Sequence, residues 1–155
     1  MVFEILETAN IESELLQKVN ELRQKLRALI AIDDFGCGHS NVLRLISISP
    51  DVLKIDRFFI SSIHNAPAAK REFLSNILAY CRAKGILSLA EGVETSDELV
   101  SLIHMGFDYA QGFYLGRPEM STYELDPHIK NEILTNSASR QQMNNLKLGQ
   151  GKTAI

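Results

Sequence analysis

Apolar and polar positions along the chain fall into blocks of two kinds. Short, almost wholly apolar runs, "VFEIL" (2–6), "ALIAI" (28–32), "DVLKI" (51–55) and "ILSLA" (86–90), read as strands covered on both faces. Between them lie longer stretches with helical spacing. "IESELLQKVNELRQKL" (11–26) places apolar residues at 11, 15, 16, 19, 22 and 26, with Asn10 placed as N-cap and Glu12 and Glu14 in the first turn. "HSNVLRLISI" (39–48) predicts a short helix stopped before Pro50, and "AAKREFLSNILAYCRAK" (68–84) a longer one ended by Gly85. Thr95 and Glu98 form a capping box for a helix through Met105, closed by Gly106. "DYAQG" and "FYLGRP" read as two further short strands. Such strand–helix repetition predicts an α/β fold with a mostly parallel sheet and right-handed crossovers.

Composition narrows the class without changing this picture. The chain has 155 residues, 45% hydrophobic and 23% charged, ordinary values for one domain with its own core. A net charge of −3 argues against a nucleic acid polymer as partner. No apolar run approaches the roughly 18 residues of a membrane span, and no basic and then apolar leader opens the chain, so a cytoplasmic protein without membrane insertion is expected. Cys37 and Cys81 lie far apart and read as free thiols. From residue 137 the chain turns polar, which places a domain at 1–136 and a polar, disordered tail at 137–155.

The chemistry lies at the strand ends. The first strand ends in Glu4 and Glu7, the second in Asp33 and Asp34, the third in Lys54 and Asp56, the fourth in Glu91 and Glu94. C-terminal ends of parallel strands converge on one face, so acids spread over about ninety residues meet in one cleft. Adjacent acids such as Asp33 and Asp34 also serve as helix caps when alone. Four strand ends together point instead to hard divalent cations, Mg²⁺ or Mn²⁺, and to metal-dependent phosphoester hydrolysis. Lys54, inside an apolar strand, fits a site better than a solvated surface. Gly36 and Gly38 read as allowing a tight turn. His39, His64, His104 and His128 lack metal-ligand spacing, and Cys37 has no evident base beside it.

The stretches "FEILE", "IDDFGCGHSNVLRLISISPDVLKIDRFFI", "LAEGVET" and "GFDYAQGFYLGRP", in this order over roughly residues 2 to 118, resemble the EAL domain, a bacterial family of cyclic di-GMP phosphodiesterases. The resemblance implies a variant (β/α)8 barrel of TIM type, a two-metal site and hydrolysis of cyclic di-GMP to linear pGpG. It implies metal-ligand roles for Glu4, Asp33, Asp34 and Glu91, with Asp33 bridging the two cations. It gives Lys54, Glu91 and Gln111 catalytic places around the attacking water. Glu7 resembles the glutamate that steadies the loop after Asp34, while Asp56, Glu94 and Arg117 take supporting or substrate-binding places.

The departures from the family pattern carry equal weight. The Glu-Ala-Leu motif that names the family is absent, as is the strand bearing its asparagine ligand, so the resemblance implies an incomplete barrel lacking the first two strands. "FEILE" has Leu6 where threonine is usual, and "GCGHSN" stands in place of "GTGYSS". An incomplete barrel exposes apolar edges and loses metal ligands. The expectation is a truncated phosphodiesterase domain, impaired as an isolated chain, with a homodimer or a complementing chain as one way to fill the gap. The alternative is a catalytically inactive EAL-like module that binds a protein partner or cyclic di-GMP.

Overall fold

The computed structural model describes residues 1–6, 13–36, 42–117 and 124–150, with the backbone alone at 13, 15 and 145–150. Five parallel strands form one sheet in chain order: β1 (Val2–Leu6), β2 (Leu29–Phe35), β3 (Val52–Ile55), β4 (Leu87–Ala90) and β5 (Tyr109–Ala110). Helices occupy the connections: α1 (Ser13–Leu26), α2 (Val42–Ile48), α3 (Arg57–Ile60), α4 (Ala68–Lys84) and α5 (Ser96–Met105), with α6 (Pro127–Gln150) after β5. Strand order that follows chain order, with a crossover at each step, is the arrangement predicted from the alternation.

The local signals act as expected. In α4, Leu74, Ile77, Leu78 and Cys81 are buried, an i, i+3, i+4, i+7 stripe, and Gly85 closes the helix in the left-handed conformation. The Thr95–Glu98 capping box opens α5 and left-handed Gly106 ends it. Asp56 caps α3, its carboxylate accepting the Phe58 N–H at 2.6 Å. Two acids also tie the sheet at its N-terminal rim: Asp51 accepts the Ile30 N–H and Asp108 accepts the N–H and hydroxyl of Ser88. Each acid therefore satisfies a backbone donor of the strand preceding its own, where the ladder would otherwise leave it unpaired.

One side of the sheet is packed and the other is open. Ile30, Ile32, Leu53, Ile55, Leu74, Leu78 and Leu102 make up the dry core beneath the helices. Each such side chain contributes about 1.5–3 kcal/mol through burial. On the opposite face, Val2 is in register with Leu29 and Val52 with Leu87; Val2, Leu29 and Leu87 remain exposed, and Leu6 pairs with Asp33 on that same face. This face turns toward what would be the interior of a closed barrel.

Two expectations need correcting. The described part of "FYLGRP", residues 113–117, is not a strand: the N–H groups of Leu115 and Gly116 both bond to Gly112 O, which curls the chain away from an extended path, and Pro118 lies outside the described residues. The polar stretch from 137 is helical as far as Gln150 as part of α6. Asp126 accepts the His128 N–H, Pro127 starts the helix, and no Gly or Pro interrupts 128–148. Ile129 and Ile133 pack against the core and anchor its first turns. A helix needs only such an anchored apolar edge, not an apolar composition throughout.

Candidate functional site

The C-terminal ends of β1 to β4 bring a lysine and four carboxylates together. Lys54 Nζ lies 2.7 Å from Asp33 Oδ1, 3.0 Å from Glu91 Oε1 and 3.1 Å from Glu4 Oε1. Its side chain is only 13% exposed, and those of Asp33 and Glu91 are 16% and 14%. Ligand atoms of Asp33, Asp34 and Glu91 all lie within 4.8 Å of one another. Gln111, just beyond β5, donates its side-chain amide to Glu91 Oε1 at 2.7 Å. Strand β1 thus contributes Glu4, β2 both aspartates, β3 Lys54, and the segments after β4 and β5 contribute Glu91 and Gln111.

The adjacent acids reach one cluster through a defect in the strand. In a regular strand Asp33 and Asp34 would point to opposite faces. Between Ile32 and Phe35 the β2 chain advances three residues while its partner advances two, from Leu53 to Ile55. This bulge inserts one residue, and Asp34 takes φ 55°. The left-handed conformation is one that aspartate tolerates better than most residues. The Asp34 N–H then bonds back to Asp33 Oδ1 at 3.1 Å.

Electrostatics follow from the crowding. Burial works against the Lys54 charge, yet the hydrogen bonds it donates to Asp33, Glu91 and Glu4 outweigh that and hold the ammonium well above the ordinary lysine range. For Glu91 burial dominates and raises its pKa, aided by the charges of Asp33 and Asp34 and opposed by Lys54. One ammonium shared among several carboxylates leaves a net negative pocket. Its donors are all oxygens, the chemistry that suits a hard divalent cation.

The other expected residues divide. Asp56 serves as the α3 cap, and Glu94 is paired with Arg57 at 2.7 Å, outside the cluster. Arg117 is exposed, its guanidinium 5.2 Å from the Phe113 ring centre. Glu7 and the loop 37–41 lie outside the described residues. Sequence reasoning missed the full role of Glu98. Beyond the Thr95 N–H bond of its capping box, it is buried and accepts the N–H groups of Ser62 and Glu94, fastening the β4 exit to the segment after α3. The only advance sign was the capping box itself.

Gly112 shows how closely the two loops beside Glu91 approach. A Cβ there would collide with the backbone N, C and O of Val93. Gly112→Ala is expected to lower stability by about 1–3 kcal/mol in a thermal melt, because backbone cannot yield as a side chain can. An unchanged midpoint would show that the 91–94 and 111–114 segments are not packed as described.

The EAL domain model matches residues 1–118. The chain belongs to the EAL domain family. Cyclic di-GMP phosphodiesterase RocR of Pseudomonas aeruginosa is 33% identical over 127 residues, covering 81% of this chain and 32% of RocR. Cyclic di-GMP phosphodiesterase PdeF of Escherichia coli is 36% identical over 96 residues, 62% of this chain and 13% of PdeF. The chain therefore spans about a third or less of these relatives. Among solved structures, Bacillus subtilis YkuI, an EAL-domain protein in complex with substrate c-di-GMP and calcium, superposes with TM-score 0.76 at 27% identity, covering 96% of this chain and 36% of that one. Klebsiella pneumoniae BlrP1, a manganese and c-di-GMP complex, gives TM-score 0.69 at 32% identity over 76% of this chain and 30% of that one. The EAL fold accounts for the five-stranded open sheet as part of an incomplete TIM-like barrel. Among the described residues no helix is long and apolar enough to cross a membrane.

Proposed function

We propose that this chain carries the catalytic face of an EAL-type phosphodiesterase that hydrolyses cyclic di-GMP to pGpG, with activity reduced in the isolated chain. The observation that carries this reading is the convergence of Glu4, Asp33, Asp34 and Glu91 around Lys54 at the strand ends. Its family relatives are cyclic di-GMP phosphodiesterases, and two neighbours hold calcium or manganese together with c-di-GMP.

The four carboxylates would hold Mg²⁺ or Mn²⁺. Divalent cations there would supply charge neutralisation for the scissile phosphate and acidify the attacking water. All three Lys54 donors are engaged by carboxylates. With substrate in the cleft, this ammonium would be the cluster's own donor to the attacking water or to a phosphate oxygen. Gln111 holds Glu91 in line, so that its carboxylate is presented to the cluster rather than to solvent. Hydrolysis then adds water across one phosphodiester: the P–O3′ bond breaks, the 3′ oxygen takes a proton and the 5′-phosphate remains on pGpG.

Reduced activity follows from the same residues. The sequence holds no Glu-Ala-Leu tripeptide, and metal affinity depends on the full ligand count.

Product release decides the proposal. Purified chain with Mn²⁺ or Mg²⁺ is expected to release pGpG from cyclic di-GMP slowly, and Asp33→Asn to lower the rate by at least about 100-fold. A folded sample that releases none, or an Asp33→Asn variant that keeps full activity, would overturn it. Binding of cyclic di-GMP without turnover would favour the non-catalytic alternative.

A further inference from the structure

Two segments flank the carboxylate cluster, residues 91–96 leaving β4 and 111–114 leaving β5. They are joined along their length. The Val93 N–H donates to Gln111 O and the Tyr114 N–H to Val93 O, both at 3.0 Å, while the Gln111 side chain reaches Glu91. At their far end a single carboxylate from α6 spans both. Ser96 Oγ donates to Glu132 Oε1, and the Tyr114 hydroxyl donates to Glu132 Oε2 at 3.0 Å. Glu132 is half-buried, and Ser96 and Tyr114 are half-buried with it.

The arrangement is a closed frame. One end is the Glu91–Gln111 bond at the cluster; the other is Glu132. Both sides are short segments cross-linked by backbone hydrogen bonds. The carboxylate can accept both hydroxyls at once because each takes a different oxygen, a geometry that fixes the separation of Ser96 and Tyr114. Burial and the bond to Glu132 raise the Tyr114 pKa, in keeping with a phenol that stays protonated and donating.

We propose that Glu132 is a positioning residue for the candidate cation site, setting the alignment of Glu91 and Gln111 through Ser96 and Tyr114. This rests on the reading of the cluster as a cation site. It makes the C-terminal helix part of the active-site support, although Glu132 touches none of the cluster's side chains. Groups that orient a metal ligand typically change metal affinity by about 10–100-fold when removed.

The test uses the full chain as wild type, Glu132→Ala and Glu132→Gln, each checked by thermal melt. The first readout is the exchange rate of the Gln111 side-chain amide protons by NMR, without metal. The second is Mn²⁺ affinity by calorimetry, well below the melting temperature. Glu132→Ala is expected to speed Gln111 exchange and weaken Mn²⁺ binding, each by about tenfold. Glu132→Gln is expected to stay within about threefold of wild type, since its carbonyl accepts from Tyr114 and its amide donates to Ser96 Oγ. A Glu132→Ala variant with unchanged Gln111 exchange overturns the proposal. So does one whose melting point falls while exchange and Mn²⁺ affinity hold, because that describes a merely structural tie. If wild type binds no Mn²⁺, the cation reading fails, and the Gln111 exchange still decides whether Glu132 positions the pair.

Discussion

Lys54→Met lowers the stability of the metal-free chain at pH 7 by about 3 kcal/mol, the cost of leaving a buried ionic cluster without its counter-charge. Methionine keeps most of the volume and the unbranched shape, so packing is nearly preserved and the loss is electrostatic. Three carboxylates within 2.7–3.1 Å of the ammonium would then face one another with no cation between them. Part of the strain is relieved by protonation, and Glu91 is the group to take the proton first, its pKa already raised by burial. The deficit therefore shrinks as pH falls toward the carboxylate range. In wild type the sign runs the other way. The Lys54 pKa is raised in the folded state, so its contribution is fully present below the unfolded value of about 10.4 and is lost as pH rises through the folded one. Chemical denaturation of both proteins between pH 4 and 10 checks this, the gap between them narrowing toward pH 4 and holding level toward pH 10, below the Lys54 titration. A variant as stable as wild type at pH 7 would mean that the cluster is solvated and uncoupled.

Glu98→Ala is the second large effect, about 3 kcal/mol of destabilisation. Glu98 is 5% exposed and its carboxylate receives the N–H groups of Ser62, Glu94 and Thr95. Removing it leaves three part-buried backbone donors without their acceptor, at about 1–3 kcal/mol for each one that water cannot reach. Burial alone would raise the Glu98 pKa, but these N–H groups and the Thr95 hydroxyl outweigh it and hold the carboxyl below its usual value. Its stabilisation is thus complete above the unfolded value of about 4.3, and disappears as pH falls through the lower, folded value. Wild type and Glu98→Ala should converge in stability in strong acid and diverge toward neutrality. Parallel stability curves throughout that range would contradict the bonding described. Because Glu94 and Thr95 continue the segment that holds Glu91, the variant should also disturb the cluster itself.

These cases mark how far the sequence could be read. The strands were legible because β2, β3 and β4 are buried by helices and carry few polar residues before their ends. Helix α4 was legible to the residue, since its apolar stripe and Gly85 agree. The convergence of Glu4, Asp33, Lys54 and Glu91 followed from parallel topology alone. What remained hidden depends on contacts that local pattern does not encode. The bulge that turns Asp34 toward Asp33 breaks the period-2 rule from which strand faces are read. Ser62 lies 36 residues from Glu98, and Glu132 is also 36 residues from Ser96. Residues 113–117 are strand-like in sequence but curled by bonds to Gly112 O. The part of α6 from residue 137 read as a tail because it is polar, while the helix's anchors, Ile129 and Ile133, lie before it.

The central claim is that the strand-end carboxylates form a divalent-cation site. Calorimetric titration of Mn²⁺ into the purified chain, beside the same titration of Asp33→Asn, tests it most directly. The account predicts saturable Mn²⁺ binding by the wild-type chain that weakens at least about tenfold in Asp33→Asn, with both proteins melting cooperatively. A cooperatively folded wild-type chain that takes up no Mn²⁺, or that binds it as tightly without the Asp33 carboxylate, would contradict it.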